Sequence, residues 1–319
     1  MDDAVPAGAP SPPPGHRDAR RVRDAYRLRH PGATPGTTEG DTGVARGALL
    51  GPLRLRTDHQ EAAVSTPPFP DQRTAVVTGA GSPRGIGRAL AARLAREGWA
   101  VAVLDLDEGA VADVAAGITE AGGRALGVGV DVADPASVDA AAARVEAELP
   151  SVVGLANIAG ISSPTAFFDT TPQEWDRVMA VNARGVFLAT QRFGRGMADR
   201  GLGRVVSISS VSAQRGGGTF SKSAYSASKG AVVSLMRAVA RELSPLGVTA
   251  NCVSPGPVDT DIMGGPLDYE RRADMAAAGL VGRVGTVDDV AALMAFLLGP
   301  DAGNITGATY DVNGGLHMS

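Results

Sequence analysis

Residues 74–87 read Thr-Ala-Val-Val-Thr-Gly-Ala-Gly-Ser-Pro-Arg-Gly-Ile-Gly. The first five form a short, mainly apolar run that predicts a buried strand ending at Thr78. The next nine hold four glycines, and a helix is expected from about Arg88 to Glu97, with Leu90 and Leu94 at helical spacing. Strand, glycine loop and helix in that order form a seat for a dinucleotide. The glycines permit a tight turn and close backbone approach, and a pyrophosphate sits at the helix N-terminus.

Working outward, the next strand runs Ala100-Val-Ala-Val-Leu104 and ends at Asp105. That acid lies about twenty residues past the glycines, where a carboxylate can take the two ribose hydroxyls of adenosine. Its plainer reading is a strand-end Asp capping the following helix. Helices are then expected over 107–121, 135–149, 171–198 and 287–298, besides one that starts near Ser223. Further strands are expected over 124–130, 152–156, 204–210, 248–253 and 308–312. Strands alternating with helices imply an α/β fold: a single doubly wound Rossmann-like domain with a mainly parallel sheet. Ligands in such sheets bind at the carboxyl ends of the strands, where the polar candidates of this chain fall.

Ser223-Ala-Tyr225-Ser-Ala-Ser-Lys229-Gly-Ala opens a helix, and its Tyr and Lys are four residues apart. Positions i and i+4 share a helix face, so the phenol and the ammonium stand side by side. A cation beside a tyrosine favours the phenolate, and such a pair can exchange a proton with an alcohol oxygen. Lys222 and Lys229 are the two lysines of the chain, and all its other basic residues apart from histidine are arginines. A compact ammonium at 229 therefore reads as chosen for fit. The structural alternative is a solvated Lys one turn from a packed Tyr.

The whole chain of 319 residues, 44% hydrophobic and 20% charged, has the composition of a globular protein with a full core. Its formal net charge of -4 gives no reason to expect nucleic acid or an anionic membrane as partner. One cysteine, Cys252, leaves no internal disulfide and no cysteine-based metal site. His16, His30 and His59 precede residue 60 and His317 is nearly terminal, so neither a bound metal nor a Ser-His-Asp triad is expected in the body.

Residues 1–70 differ in texture: they hold eleven of the 21 prolines, nine arginines and eight acids in irregular order. Such sequence buries too little surface to offset its ordering entropy, so a disordered extension is expected before a catalytic domain over 71–319. A native start near Val64 is one expectation for it. Acids at Asp2, Asp3, Asp18 and Asp24 argue against a transit peptide, and no apolar secretion or membrane segment is seen, so the expected location is cytoplasmic.

From about Arg73 to Leu316 the chain resembles the short-chain dehydrogenase/reductase family. The matching elements are Thr78-Gly79, Gly85-Ile86-Gly87, Asp131-Val132, Asn157-Ile-Ala-Gly160, Val181-Asn182-Ala-Arg-Gly, Ile208-Ser-Ser210, Tyr225-Ser-Ala-Ser-Lys229, Pro255-Gly256-Pro-Val258-Asp-Thr260 and Asp311-Val-Asn-Gly-Gly315. The resemblance implies hydride transfer between nicotinamide and a secondary alcohol or ketone. It makes Tyr225 the acid/base, Lys229 the nicotinamide-ribose ligand that depresses the tyrosine pKa, Ser210 the donor to the substrate oxygen, and Asn182 the holder of a relay water. Ser209 is the competing serine. It places Gly79, Gly85, Ile86, Gly87, Asp105, Asp131, Val132, Asn157, Tyr225, Lys229, Pro255, Gly256, Val258 and Thr260 on the cofactor. Asn157 would meet the adenosine side and brace the sheet, and Thr260 the carboxamide or a phosphate.

Two stretches depart from the family pattern, each about two residues longer: the glycine loop, with Pro83-Arg84 inserted, and the gap between Ser210 and Tyr225 with Gly216-Gly-Gly218. Asp105 would repel a 2'-phosphate, whereas Arg84 stands where NADP-preferring relatives often carry a basic residue; the expected cofactor is NAD over NADP. Residues 261–282 read as a substrate lid, with Phe167 and Phe168 as further candidates for the pocket. The resemblance also implies a homotetramer or homodimer acting on a small carbonyl or alcohol substrate. The alternative from another class is a non-catalytic dinucleotide-binding regulatory protein, which has no physical need to keep Ser210, Tyr225, Lys229 and Asn182 together.

Overall fold

The computed structural model describes residues 67–218 and 221–318. The expected extension over 1–70 therefore lies, as far as residue 66, outside the described residues. Phe69 already packs with the body: its ring meets Trp99 edge-on at 5.7 Å, and the Arg73 guanidinium lies 4.7 Å over that indole.

Seven strands form one sheet in the order β3-β2-β1-β4-β5-β6-β7, and every pairing is parallel. They are β1 (Thr74–Thr78), β2 (Ala100–Asp105), β3 (Arg124–Gly129), β4 (Val152–Asn157), β5 (Gly203–Ile208), β6 (Val248–Pro255) and β7 (Thr309–Val312). The central strands β1, β4, β5 and β6 are buried along their whole length, as Val/Ala-rich runs must be when helices cover both faces. Strand order reverses between β1 and β4, which opens a crevice at their carboxyl ends.

One face carries α1 (Ile86–Arg96), α2 (Glu108–Glu120) and α9 (Val287–Leu298), whose Leu90, Leu94, Val111, Met294 and Leu298 join a single apolar cluster. The opposite face carries α3 (Pro135–Glu148), α5 (Gly185–Asp199) and α7 (Ser223–Leu243), with Val138, Phe193, Val232 and Met236 in a second cluster. Local signals set the helix starts. The Asp134 side chain caps α3 ahead of Pro135, and Thr286 and Asp289 form a reciprocal capping box on α9.

Two expectations change. The single helix expected over 171–198 is α4 (Pro172–Met179), a π-helical turn (Ala180–Arg184) and α5. Strand β5 stops at Ile208 and not at Ser210. The Ser210 hydroxyl accepts the Ser212 amide at 3.1 Å and thereby caps a short helix, α6 (Val211–Arg215), that sequence reading did not find. Within the lid lies another unexpected helix, α8 (Tyr269–Ala278), after a 3-10 turn at Asp261–Met263.

Candidate active site

A cleft of about 1710 Å³ runs along the carboxyl ends of the strands. Its walls include the glycine loop, Asp105, Asp131 and Val132, then Ser210, Tyr225 and Lys229, then Pro255, Gly256 and Val258. The volume exceeds that of an ordinary small-ligand pocket, so a dinucleotide and a substrate fit together.

At the β1–α1 turn, two glycines are needed for steric reasons. Gly79 has φ +70, and a Cβ there would stand 2.5 Å from the Ala159 amide nitrogen; a Cβ on Gly87 would stand 2.3 Å from the Gly79 carbonyl oxygen. The inserted Pro83-Arg84 makes a tight turn, closed by the Gly85 amide donating to the Ser82 carbonyl at 3.1 Å. Proline suits the second position of such a turn, so the longer loop leaves its flanking glycines in place. No side chain caps α1 at Gly85, which leaves its first-turn amides to an anion. At the end of β2 the Asp105 carboxylate accepts the Gly81 and Leu106 amides at 2.8 and 2.7 Å while still lining the cleft. This donor and acceptor set fits a nucleotide.

Tyr225 and Lys229, one turn apart on α7, are 9% and 2% exposed. The ammonium lies 5.7 Å from the tyrosine ring centroid and donates to the Ile208 carbonyl at 3.0 Å. Burial pushes the phenol up to about 12, against a smaller opposing pull from the Ser210 hydroxyl bonded to it. Burial likewise lowers Lys229, to about 8. The depressed tyrosine expected from the i, i+4 pair is therefore not what the structure shows: desolvation of both groups outweighs their proximity.

Ser209 is committed elsewhere, since its buried hydroxyl donates to the Lys229 carbonyl at 3.1 Å. Ser210, half-buried at the α6 cap, is the serine whose hydroxyl reaches Tyr225. Asn182 is fully buried on the π-helical turn. Its carbonyl accepts the Ile161 amide at 2.8 Å, and its NH2 donates to the Ile161 carbonyl at 2.9 Å and to Ser228 Oγ at 3.0 Å. Ser228 in turn donates to the Tyr225 carbonyl at 2.7 Å, so Asn182 is tied to the helix that carries the tyrosine. A π-turn, which re-aims one side chain within a helix, recurs at functional sites. Its sequence carries no periodicity signal, and Ser228 was missed because a serine on a helix reads as ordinary.

Other predicted residues stand back from the cleft. Asn157 braces the sheet from beneath, donating to Thr190 Oγ1 and Ser207 Oγ at 3.0 Å each, and does not line the cleft. Thr260 is 5% exposed, with its hydroxyl on the Val258 carbonyl at 3.4 Å. Phe167 and Phe168 are 71% and 96% exposed and stack edge-on with each other outside the cleft. The segment 261–282, expected to form a lid, does line it, through Ile262, Met275 and Ala278. Arg84 pairs with Asp259 and, at 3.5 Å, with Asp261.

A family model described as enoyl-(acyl carrier protein) reductase matches residues 79–317. An uncharacterized short-chain type dehydrogenase/reductase, y4mP, of Sinorhizobium fredii is 41% identical over 249 residues, which are 76% of this chain and 97% of that protein. The 2-(S)-hydroxypropyl-CoM dehydrogenase 3 of Xanthobacter autotrophicus is 39% identical over 245 residues, 75% of this chain and 94% of its own. Among solved structures, a blue fluorescent protein from a metagenomic library, crystallised in complex with NADPH, is 36% identical. It has a TM-score of 0.71 and covers 77% of this chain and 98% of its own.

Proposed function

The chain belongs to the short-chain dehydrogenase/reductase family, and on that footing we propose that it is an oxidoreductase interconverting a secondary alcohol and its ketone, with Tyr225 as acid/base. The observation that carries the reading is the meeting of Ser210, Tyr225 and Lys229 at one end of a dinucleotide-sized cleft. Nicotinamide, when bound, supplies or accepts the hydride.

The chain's own residues handle the oxygen. Charge develops there as the carbonyl carbon is reduced, and the Ser210 and Tyr225 hydroxyls are two donors placed to stabilise it. A phenol held near 12 keeps its proton at neutral pH, the form that protonates an alkoxide. Lys229, near 8, is poised to replace that proton. Asn182 and Ser228 hold the tyrosine's turn of α7 in register.

Asp105 supports NAD as the preferred dinucleotide, because a carboxylate at the ribose repels a 2'-phosphate. Arg84, engaged by two aspartates, is not held for that phosphate. The NADPH in the solved relative points the other way. A homotetramer or homodimer and a cytoplasmic location complete the proposal; no helix among the described residues is long and apolar enough to cross a membrane.

Fluorescence titration with NADH and NADPH, followed by turnover of a panel of ketones and secondary alcohols, tests the proposal. Tight NADH uptake with activity lost in Tyr225→Phe is expected. NADPH preference overturns the role of Asp105. Binding without turnover of any substrate favours the non-catalytic regulatory reading.

A further inference from the structure

The glycine loop of this chain is strapped to the loop after β6 by ionic contacts that the mechanism above does not use. Arg84 pairs with Asp259 through one guanidinium nitrogen and with Asp261 at 3.5 Å through the other. The Asp261 carboxylate also accepts the Ser82 hydroxyl at 2.7 Å and the Arg84 amide at 3.3 Å. Asp259 continues the chain of contacts into the lid, pairing with Arg272 of α8 and accepting the Leu267 amide at 3.3 Å. Burial pushes the Asp259 carboxyl up, but the Leu267 amide and the Arg272 and Arg84 guanidinium groups outweigh it, and the carboxyl is held below its ordinary range.

Both ends of this strap reach the cleft, since Ser82, Pro83 and Asp261 line it. Two carboxylates beside a phosphate-binding loop are unfavourable for any dinucleotide, whose pyrophosphate carries negative charge of its own. Asp261 in particular rests on a hydroxyl and an amide of the glycine loop, donors of the kind an anion seeks. The Pro83-Arg84 turn puts a cation beside both acids at the loop. A guanidinium suits the position because its two nitrogens reach two carboxylates at once, which an ammonium does less well.

Resting on the proposed dinucleotide-binding function, we infer that Arg84 is a positioning residue that neutralises and holds Asp259 and Asp261, setting the affinity for both nicotinamide dinucleotides equally and not the choice between them.

The test compares the unsubstituted protein with Arg84→Gln, Arg84→Lys, Asp261→Asn and the double variant Arg84→Gln/Asp261→Asn, each titrated with NADH and with NADPH. Arg84→Gln is expected to weaken both dinucleotides by the same factor, about tenfold for one uncancelled charge near the surface. Asp261→Asn is expected to bind at least as tightly as the unsubstituted protein. The double variant recovers most of the loss, and Arg84→Lys keeps most of the affinity. Melting of the free proteins separates misfolding from lost affinity: only a variant that melts as the unsubstituted protein does is read for binding. A loss confined to NADPH makes Arg84 a reader of the 2'-phosphate and overturns the inference. So does an unchanged affinity, a Lys variant as weak as the Gln one, or a double variant no better than Arg84→Gln. If the unsubstituted protein binds neither dinucleotide, the proposed function itself falls.

Discussion

Tyr225 and Lys229 are 9% and 2% exposed, whereas Tyr269 and Leu280, in the segment 261–282 that lines the same cleft, are 86% and 76% exposed. The difference extends to whole elements. Helix α7 buries seven side chains and packs on β6; α8 buries none. Around the tyrosine several polar groups are tied down: Ser209 on Lys229, Ser228 on Tyr225, Asn182 on Ser228 and Ile161. The lid is fixed at its base by the Asp259 contacts, by Leu267 and by the Val281 amide on the Gly314 carbonyl. The groups proposed to carry the chemistry sit in a wall that cannot shift without breaking buried hydrogen bonds. The segment 261–282 buries little, and its helix buries no side chain, the kind of segment from which ligand-binding elements are drawn.

The sharpest way to break this contrast is to remove the Tyr225 hydroxyl, the group proposed to exchange the proton. Tyr225→Phe is expected to lower kcat by about 100- to 10,000-fold while dinucleotide affinity stays within about threefold, as steady-state kinetics and titration will show. A loss in binding of the same size instead would mean the wall organises the cofactor more than the chemistry.

Lys229 tests what burial costs the wall. Its folded value, near 8, lies below its ordinary 10.5, so the charge is destabilising at neutral pH. The sign is that of a depressed lysine: the penalty is full below about 8 and fades as pH rises toward 10.5. Lys229→Met is therefore expected to lose activity yet gain roughly 1–2 kcal/mol of stability at pH 7, by denaturant melts, with the gain gone near pH 10.5. In the unsubstituted protein, ketone reduction is expected to hold its kcat/KM below about pH 8 and to fall above it as the ammonium is lost. A profile flat through pH 9 would remove the lysine from the proton path.

Asn182→Ala leaves the Ile161 amide and carbonyl and the Ser228 hydroxyl without their buried partner. A destabilisation of about 1–3 kcal/mol is expected, with kcat falling more than KM rises. The smallest effects belong to the lid. Met275→Ala, in the cleft wall but on the exposed helix, should raise KM by about 3- to 10-fold with the melting temperature unchanged. A clear drop in melting temperature would show that the lid is part of the core and erase the distinction.

Much of this was legible in the chain itself. The alternation of Val/Ala-rich strands with amphipathic helices dictates a parallel sheet with both faces covered, because each apolar run needs a cover and each helix has one apolar side. Gly79 and Gly87 were readable as positions where backbone meets backbone, and Tyr225 and Lys229 as neighbours on one turn, since both follow from local geometry. What local geometry does not carry is the environment around a residue. That Asn157 lies under the sheet, that Ser209 spends its hydroxyl on the α7 backbone while Ser210 meets the Tyr225 side chain, and that Asn182 is tied to Ile161 and Ser228 all depend on segments 15 to 50 residues away. Arg84 was visible as a charge in a loop, but its partners Asp259 and Asp261 lie about 175 residues later and meet it only once β6 is laid into the sheet. The tyrosine's proton affinity was decided the same way. Proximity to a lysine is written in the sequence, but the removal of water from both groups is a property of the packed interior, and here desolvation is the larger effect.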